Sequence, residues 1–315
     1  MKPSTTILPA TPQPLTIPTV QSGKYNNLVW LDQGLLAQKQ TLIPPLLQEL
    51  WWINEHGEAS SQLVLPLDPA STYTEYVFPQ RLPNKLLGVR QQISTIQDAQ
   101  FVSDGYQYVQ FDPTTDQLTT LLPASLPRDV MMHSAVVWSP AMDRALVTDR
   151  QYLGSQYYWW TAATGLQPLD LGVAVAQYFA WSPDGATIAF FGKPSVGSGS
   201  VPGALTKPAN LYLMDADGGN QRMILADAYS IAGLQWSPNG RWLVIVARFN
   251  GSRDIVWLVD SQSGDRMQLT PEGRYQWPVW SPDGSELAVI WYDPRDTGVE
   301  GNDYVIRLAV PAIAR

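Results

Sequence analysis

The sequence predicts an all-β chain, a six-bladed β-propeller of four-stranded antiparallel blades, on three observations. The tripeptide Trp-Ser-Pro recurs at Trp138, Trp181, Trp236 and Trp280, with spacings of 43, 55 and 44 residues; a period of this size is that of one propeller blade. A short apolar run follows each copy. The 23 Gly and 26 Pro are spread along the chain, as a fold made of many short strands and turns requires.

Each element of the repeat has a physical reason. In Trp181-Ser182-Pro183-Asp184-Gly185, Trp236-Ser237-Pro238-Asn239-Gly240 and Trp280-Ser281-Pro282-Asp283-Gly284, Pro presets the first corner torsion. Asp or Asn then bonds the local backbone, and Gly accepts the left-handed position, so the segment closes a hairpin. The copy Trp138-Ser139-Pro140-Ala141-Met142-Asp143 lacks the Asp-Gly pair. The runs 187–190, 242–246, 287–290 and 145–147 suit second strands buried on both faces, and 210–215, 254–260 and 266–270 supply third and fourth strands. Trp138, Trp181, Trp236 and Trp280 are assigned to packing between blades.

Weaker copies occupy the first third. Trp30-Leu31-Asp32-Gln33-Gly34 and Leu82-Pro83-Asn84-Lys85 read as the corresponding hairpins, and 106–112 with 117–121 as a third and fourth strand. Turns near residues 31, 82, 139, 182, 237 and 281 make six blades. The last unit ends on a third strand, 304–310, so its fourth must come from elsewhere. Residues 1–23 form a Pro/Thr-rich stretch, read either as a disordered tail or as a tether whose segment 14–20 supplies that closing strand and covers an exposed sheet edge.

Trp-Ser-Pro-Asp-Gly followed by an apolar strand resembles the TolB-type, WD40-like (PD40) propeller repeat, which also occurs in the propeller domains of tricorn and prolyl oligopeptidase relatives. The resemblance covers residues 24–315. It implies a TolB-like propeller domain there, without room for the N-terminal α/β domain of TolB or a peptidase domain. It implies an extracytoplasmic location, periplasmic, secreted or surface-tethered, and says almost nothing about activity.

Composition excludes several functions. With no Cys and only two His, a zinc, haem or iron–sulfur site is not expected. A net charge of −8 without a Lys/Arg cluster argues against nucleic acid as a partner, and no apolar run is long enough to span a bilayer. No Gly-x-Ser-x-Gly elbow occurs; Gly197-Ser198-Gly199-Ser200 is misspaced, and His56 and His133 read as surface or packing residues. The expected catalytic set is empty. The repeated Asp184 and Asp283, with Asn239, read as turn formers beside Gly185, Gly240 and Gly284. No cofactor is expected, with one candidate exception. Asp293, Asp296, Glu300 and Asp303 fall in one segment and offer the oxygen ligands calcium takes, although Arg295 sits among them and a solvated loop explains them as well.

Geometry says where a partner would dock. In an up-and-down blade the connections from second to third strand and from each blade to the next emerge on one face, and the tight turns emerge on the other. The long insertions 38–46, 93–105, 149–156, 192–209 and 292–303 all belong to the first face. Tyr152, Tyr157, Tyr229, Arg248, Tyr275, Trp277 and Arg295 are expected there, and Tyr, Trp and Arg dominate interface energies. The alternative for Tyr275 and Trp277 is to line the central channel. The expected function is a non-catalytic scaffold that binds a protein or peptide. The alternatives are a small-ligand binder or calcium-dependent hydrolase or lactonase using the channel, and a structural subunit of a larger assembly.

Overall fold

The structure is a computed structural model that describes residues 24–40, 48–54, 59–64, 73–82, 85–97, 100–112, 115, 117–121, 134–149, 156–194, 208–249, 253–292 and 303–314. Nearly every described stretch is strand. Five sheets have four strands: β1 (Lys24–Leu31) to β4 (Ala59–Val64), β5 (Tyr73–Leu82) to β8 (Gln117–Leu121), β9 (Ser134–Trp138) to β12 (Gly165–Leu169), β13 (Val173–Trp181) to β16 (Arg222–Ala228), and β17 (Ser230–Trp236) to β20 (Arg266–Gln268). A sixth sheet has three, β21 (Tyr275–Trp280), β22 (Glu286–Tyr292) and β23 (Asp303–Ala309). Within each sheet spatial order equals chain order and all pairings are antiparallel. The fold is an all-β propeller of four-stranded antiparallel blades.

The expectation of six four-stranded blades is corrected to five. After β23 the chain continues into a single 3-10 turn, Ala312–Ala314, so the outer edge of β23 has no fourth strand among the described residues. The closing strand expected at 14–20 lies outside the described residues. The first sheet nevertheless packs on the last: Leu28, Trp30, Leu35 and Ala37 share one apolar cluster with Val279, Ala288, Ile290 and Val305.

Strand periodicity explains how sheets stack. In β18, Leu243, Ile245 and Ala247 pack toward the fourth sheet, while Trp242, Val244 and Val246 pack toward the sixth. All six are buried, and for this reason a second strand reads as an unbroken apolar run and not as an alternation. The first strands lie innermost. β1 abuts β5, β5 abuts β9, and so on through β13, β17 and β21, and β21 also abuts β1. They form the wall around the axis.

The repeat tryptophans join neighbouring sheets by one bond used twice. Trp181 Nε1 donates to Val137 O at 3.1 Å and Trp236 Nε1 donates to Ala180 O at 3.0 Å, in each case the residue before the preceding repeat Trp. Trp280 departs from this. Its ring N–H has no hydrogen-bond partner among the described residues, and its backbone N–H donates instead to Gln235 Oε1 at 2.9 Å.

Candidate functional site

The face bearing the tight turns is built from one bonding scheme. Ser182 Oγ donates to Asp184 Oδ1 at 2.5 Å, Ser237 Oγ to Asn239 Oδ1 at 2.7 Å and Ser281 Oγ to Asp283 Oδ1 at 2.7 Å. The same hydroxyls accept the backbone N–H of Thr187, Trp242 and Glu286, each at 2.9 Å. These bonds hold the Asp184 carboxyl below its ordinary value and bring Asp283 down to about 2, with the Ser281 hydroxyl first among the causes. Gly185, Gly240 and Gly284 take φ of 70°, 71° and 73°, and each lies against the turn proline of the preceding repeat, Pro140, Pro183 or Pro238. In the divergent copy Met142 adopts φ 56° where the others have Gly, and Asp143 replaces the missing Asp by accepting from Ser139 Oγ at 2.7 Å. These carboxylates are committed to holding turns.

The opposite face is irregular. β6 (Lys85–Gln97) and β7 (Gln100–Asp112) stay paired out to Gln97 and Gln100, well past Ile93, where pairing with β5 stops. The segment 93–105, expected as a loop, is therefore mostly a two-stranded ribbon standing beyond its sheet. Its Ile93, Thr95, Ile96, Phe101 and Val102 are strand formers, which is the physical reason for the correction. Tyr229, the single residue joining β16 to β17, is 61 % exposed on this face, and its N–H donates to Arg248 O at 2.7 Å. Arg248 is half-buried at the end of β18.

Two expected binding residues are buried instead. Tyr157 is 5 % exposed because its hydroxyl bridges to the next blade, donating to Ala176 O at 3.2 Å and accepting the Ala176 N–H at 2.5 Å. Tyr275 is 3 % exposed and packs between the fifth and sixth sheets, where burial pushes its phenol up. Tyr152 and Arg295 lie outside the described residues, as do Asp293, Asp296 and Glu300 of the calcium candidate. Asp303, the last of that group, is buried and accepts the Tyr25 N–H at 3.2 Å. It joins the last sheet to the first. Burial, followed by the charges of Asp303 and Glu49, pushes the Tyr25 phenol up to about 12. No group of three or more potential metal-ligating side chains occurs among the described residues.

The axial wall carries what residue types alone did not reveal. Three first strands carry the same two-against-one bulge: β5, where the pairing steps from Val77↔Val89 to Gln80↔Leu87, and β13 and β21, where it lies three and two residues before the repeat Trp. In β13 the pairing steps from Gln177↔Phe191 to Ala180↔Ala189, and in β21 from Gln276↔Ile290 to Val279↔Ala288. In β13 and β21 the first residue of the bulge, Tyr178 or Trp277, has a left-handed backbone, φ 56° and 52°. Both residues are exposed, 41 % and 38 %. Between them in the wall, at the same offset in β17, stands Gly233, where a Cβ would come within 2.3 Å of Pro278 Cδ.

No family model matches the chain. A curated protein of Agrobacterium fabrum (strain C58), "Uncharacterized protein Atu1656", is 25 % identical over 164 residues, which cover 49 % of this chain and 51 % of that protein. The chain thus matches about half the length of this relative. Among solved structures, TolB from Acinetobacter baumannii aligns with a TM-score of 0.54 at 15 % identity over 84 % of this chain and 60 % of that one. A putative TolB from Agrobacterium tumefaciens aligns at 0.53 and 14 % identity over 80 % and 94 %. A luciferin-regenerating enzyme aligns at 0.52 and 13 % identity over 92 % and 93 %. At these identities the likeness is one of fold, a TolB-like β-propeller. Among the described residues no helix is long and apolar enough to cross a membrane.

Proposed function

We propose that this chain is a non-catalytic recognition scaffold that binds a protein or peptide through the face opposite its tight turns, and that it works outside the cytoplasm. The observation supporting this reading is the asymmetry of the two faces, above all the β6–β7 ribbon, whose paired ends reach Gln97 and Gln100. Among the described residues no third strand pairs with the ribbon; a two-stranded ribbon is marginal in water, and a partner strand or surface laid along it would supply further contacts. The exposed Tyr229 on the same face adds an anchor of the kind that dominates interface energy.

The finer reading of the architecture belongs here as well. We propose that the repeats are PD40 repeats and that residues 14–20 pair with β23, giving the sixth sheet its fourth strand. The three residues 21–23 would then enter β1 much as the connection 170–172 enters β13. Deleting residues 1–22 is expected to lower the melting temperature, and an unchanged value refutes the closure. For the binding face, full-length chain and a variant with 94–103 replaced by a two-residue turn are cross-linked in extracts of the native source. A partner captured by the first and lost by the second, with equal melting temperatures, supports the proposal. Equal capture by both removes it.

A further inference from the structure

We propose that the crevice between the outer strands of the fourth and fifth sheets is a carboxylate site, in which the Arg266 guanidinium grips the carboxylate of a peptide or protein partner. Arg266 opens β20, and its guanidinium carbon lies over the Phe249 ring, 4.0 Å from the centroid, and over the Trp257 ring at 4.9 Å. The two rings are 5.9 Å apart and stand at 82° to each other, and both residues are buried. They make an apolar corner with a half-buried charge set into it. The attraction acts between the cation and the ring faces, whereas the five N–H donors of a guanidinium point outward in its own plane. Among the described residues the Arg266 side chain has no hydrogen-bond acceptor and no ion pair. Burial pushes its pKa below the ordinary arginine value, as for a cation without a counter-charge beside it.

The neighbouring blade shows what the fold asks of an arginine here. Arg222 holds the matching place in the fourth sheet, first in its outer strand and followed by Met, and its Nη2 donates to Ser261 O at 2.7 Å. That bond ties the two sheets together near the turn face, where a Cβ on Gly264 would also lie only 2.4 Å from Ile224 O. Arg266 makes no such tie. The acids of the adjoining strands and turn do not serve it. Asp260 is held by Arg241 and by the N–H groups of Gln262 and Ser263, and Asp265 accepts from the Ser263 hydroxyl. Asp227, exposed near the end of β16, forms no ion pair among the described residues. A charge drawn out of water without a partner costs stability, so one kept there points to a ligand that supplies the partner. The planar fork of the guanidinium matches a carboxylate through two parallel bonds. The apolar corner beside it suits a carboxylate on an apolar body. A dianionic phosphate is less suited, because a single open guanidinium supplies half its charge and the rings supply no donors.

This site rests on the reading of the chain as a peptide-binding scaffold and names the chemistry of what is held, but it is tested without a native partner. The arginine Nε–H signals of the full-length chain are followed by NMR, and Arg266→Met identifies the one from Arg266. The probes are N-acetylleucine, which carries a chain-end carboxylate, and the α-amide of N-acetylglutamic acid, which carries a side-chain one. N-acetylleucine amide and inorganic phosphate are the contrasts. At least one carboxylate probe is expected to shift the Arg266 signal saturably at millimolar concentration, at least tenfold more tightly than either contrast. The tighter of the two probes tells whether the partner offers a chain end or an acidic side chain. Arg266→Lys keeps the charge and loses the fork, and saturation-transfer NMR on the probe should show binding weakened tenfold or more. Arg266→Met separates binding from folding: binding is lost while the melting temperature holds or rises. The variant with 94–103 replaced is expected to bind the probe as the full-length chain does, so the crevice and the ribbon fail separately. The proposal is overturned by no saturable shift with either carboxylate, by equal or tighter binding of the amide or phosphate, or by an equal shift at exposed Arg253. A large drop in melting temperature for Arg266→Met also overturns it, because the cation would then be part of the packing.

Discussion

On the turn face, the corners of the fourth, fifth and sixth sheets use one set of hydrogen bonds three times and the third sheet uses a variant of it, whereas the axial wall and the opposite face are less regular. Ser, Pro, Asp or Asn, and Gly recur at fixed offsets because each satisfies a local demand of the turn, and the ring N–H groups of Trp181 and Trp236 bind the backbone of the neighbouring sheet. Along the wall, bulges put Tyr178 and Trp277 into strained torsions while β17 has Gly at the equivalent place. The regular face carries stability by repetition. The irregular regions are where recognition is expected, because they depart from what folding alone would select.

The largest effect expected on this contrast comes from the tryptophan that joins sheets three and four. Trp181 is 8 % exposed, donates to Val137 O and lies 5.6 Å from the Trp159 ring. Trp181→Ala should lower unfolding free energy by about 3–5 kcal/mol, and Trp181→Phe, which loses chiefly the bond, by about 1 kcal/mol. Urea denaturation measures both. A loss below about 1 kcal/mol for the alanine variant would show that the repeat Trp does not carry the interface.

A smaller effect is expected where the wall is tightest. In Gly233→Ala the new Cβ would sit 2.3 Å from Pro278 Cδ, a side-chain atom with little freedom to move. Overpacking of this kind costs roughly 1–3 kcal/mol. Pro278→Ala removes the obstacle, so the two changes should couple, and the loss from Gly233→Ala should shrink when Pro278 is already Ala. Additive losses in the double-mutant cycle would break the claim that this contact sets the shape of the wall.

How much of this was legible in the sequence follows from the range over which each feature is determined. The turns and second strands could be read directly, because Ser182 to Thr187 is a local circuit and the apolar run of β18 faces two cores at once. The divergent corner could be located but not explained, since Met142 in a left-handed torsion and the substitution of Asp143 for the missing Asp depend on three-dimensional register. Tyr157 and Tyr275 looked like surface aromatics because their burial is created by neighbouring blades. The polar composition of 93–105 disguised a ribbon as a loop. The bulges had one trace in advance: Tyr178-Phe179 and Trp277-Pro278 stand at the same distance before the repeat Trp, with Gly233 at that distance in the blade between.

The smallest effect concerns pH and distinguishes two ways of making the same corner. Asp283 is held at about 2 by the Ser281 hydroxyl and the Ser285 backbone N–H and hydroxyl. Its value in the unfolded chain is the ordinary carboxylate one, so its folded value is depressed. The stability it adds is complete above pH ~4 and is lost as pH falls through about 2. Solvent screens an exposed group, which limits the contribution to about 1 kcal/mol or less. Asn239 builds the same turn with an amide that does not titrate, bonding Ser237 Oγ and the Arg241 N–H. Asp283→Asn should therefore change stability little at pH 7 and flatten the decline between pH ~4 and pH ~2, followed by thermal unfolding at a series of pH values. An unchanged acid limb would mean that the carboxylate charge does nothing at this corner beyond what the Asn amide does in its neighbour.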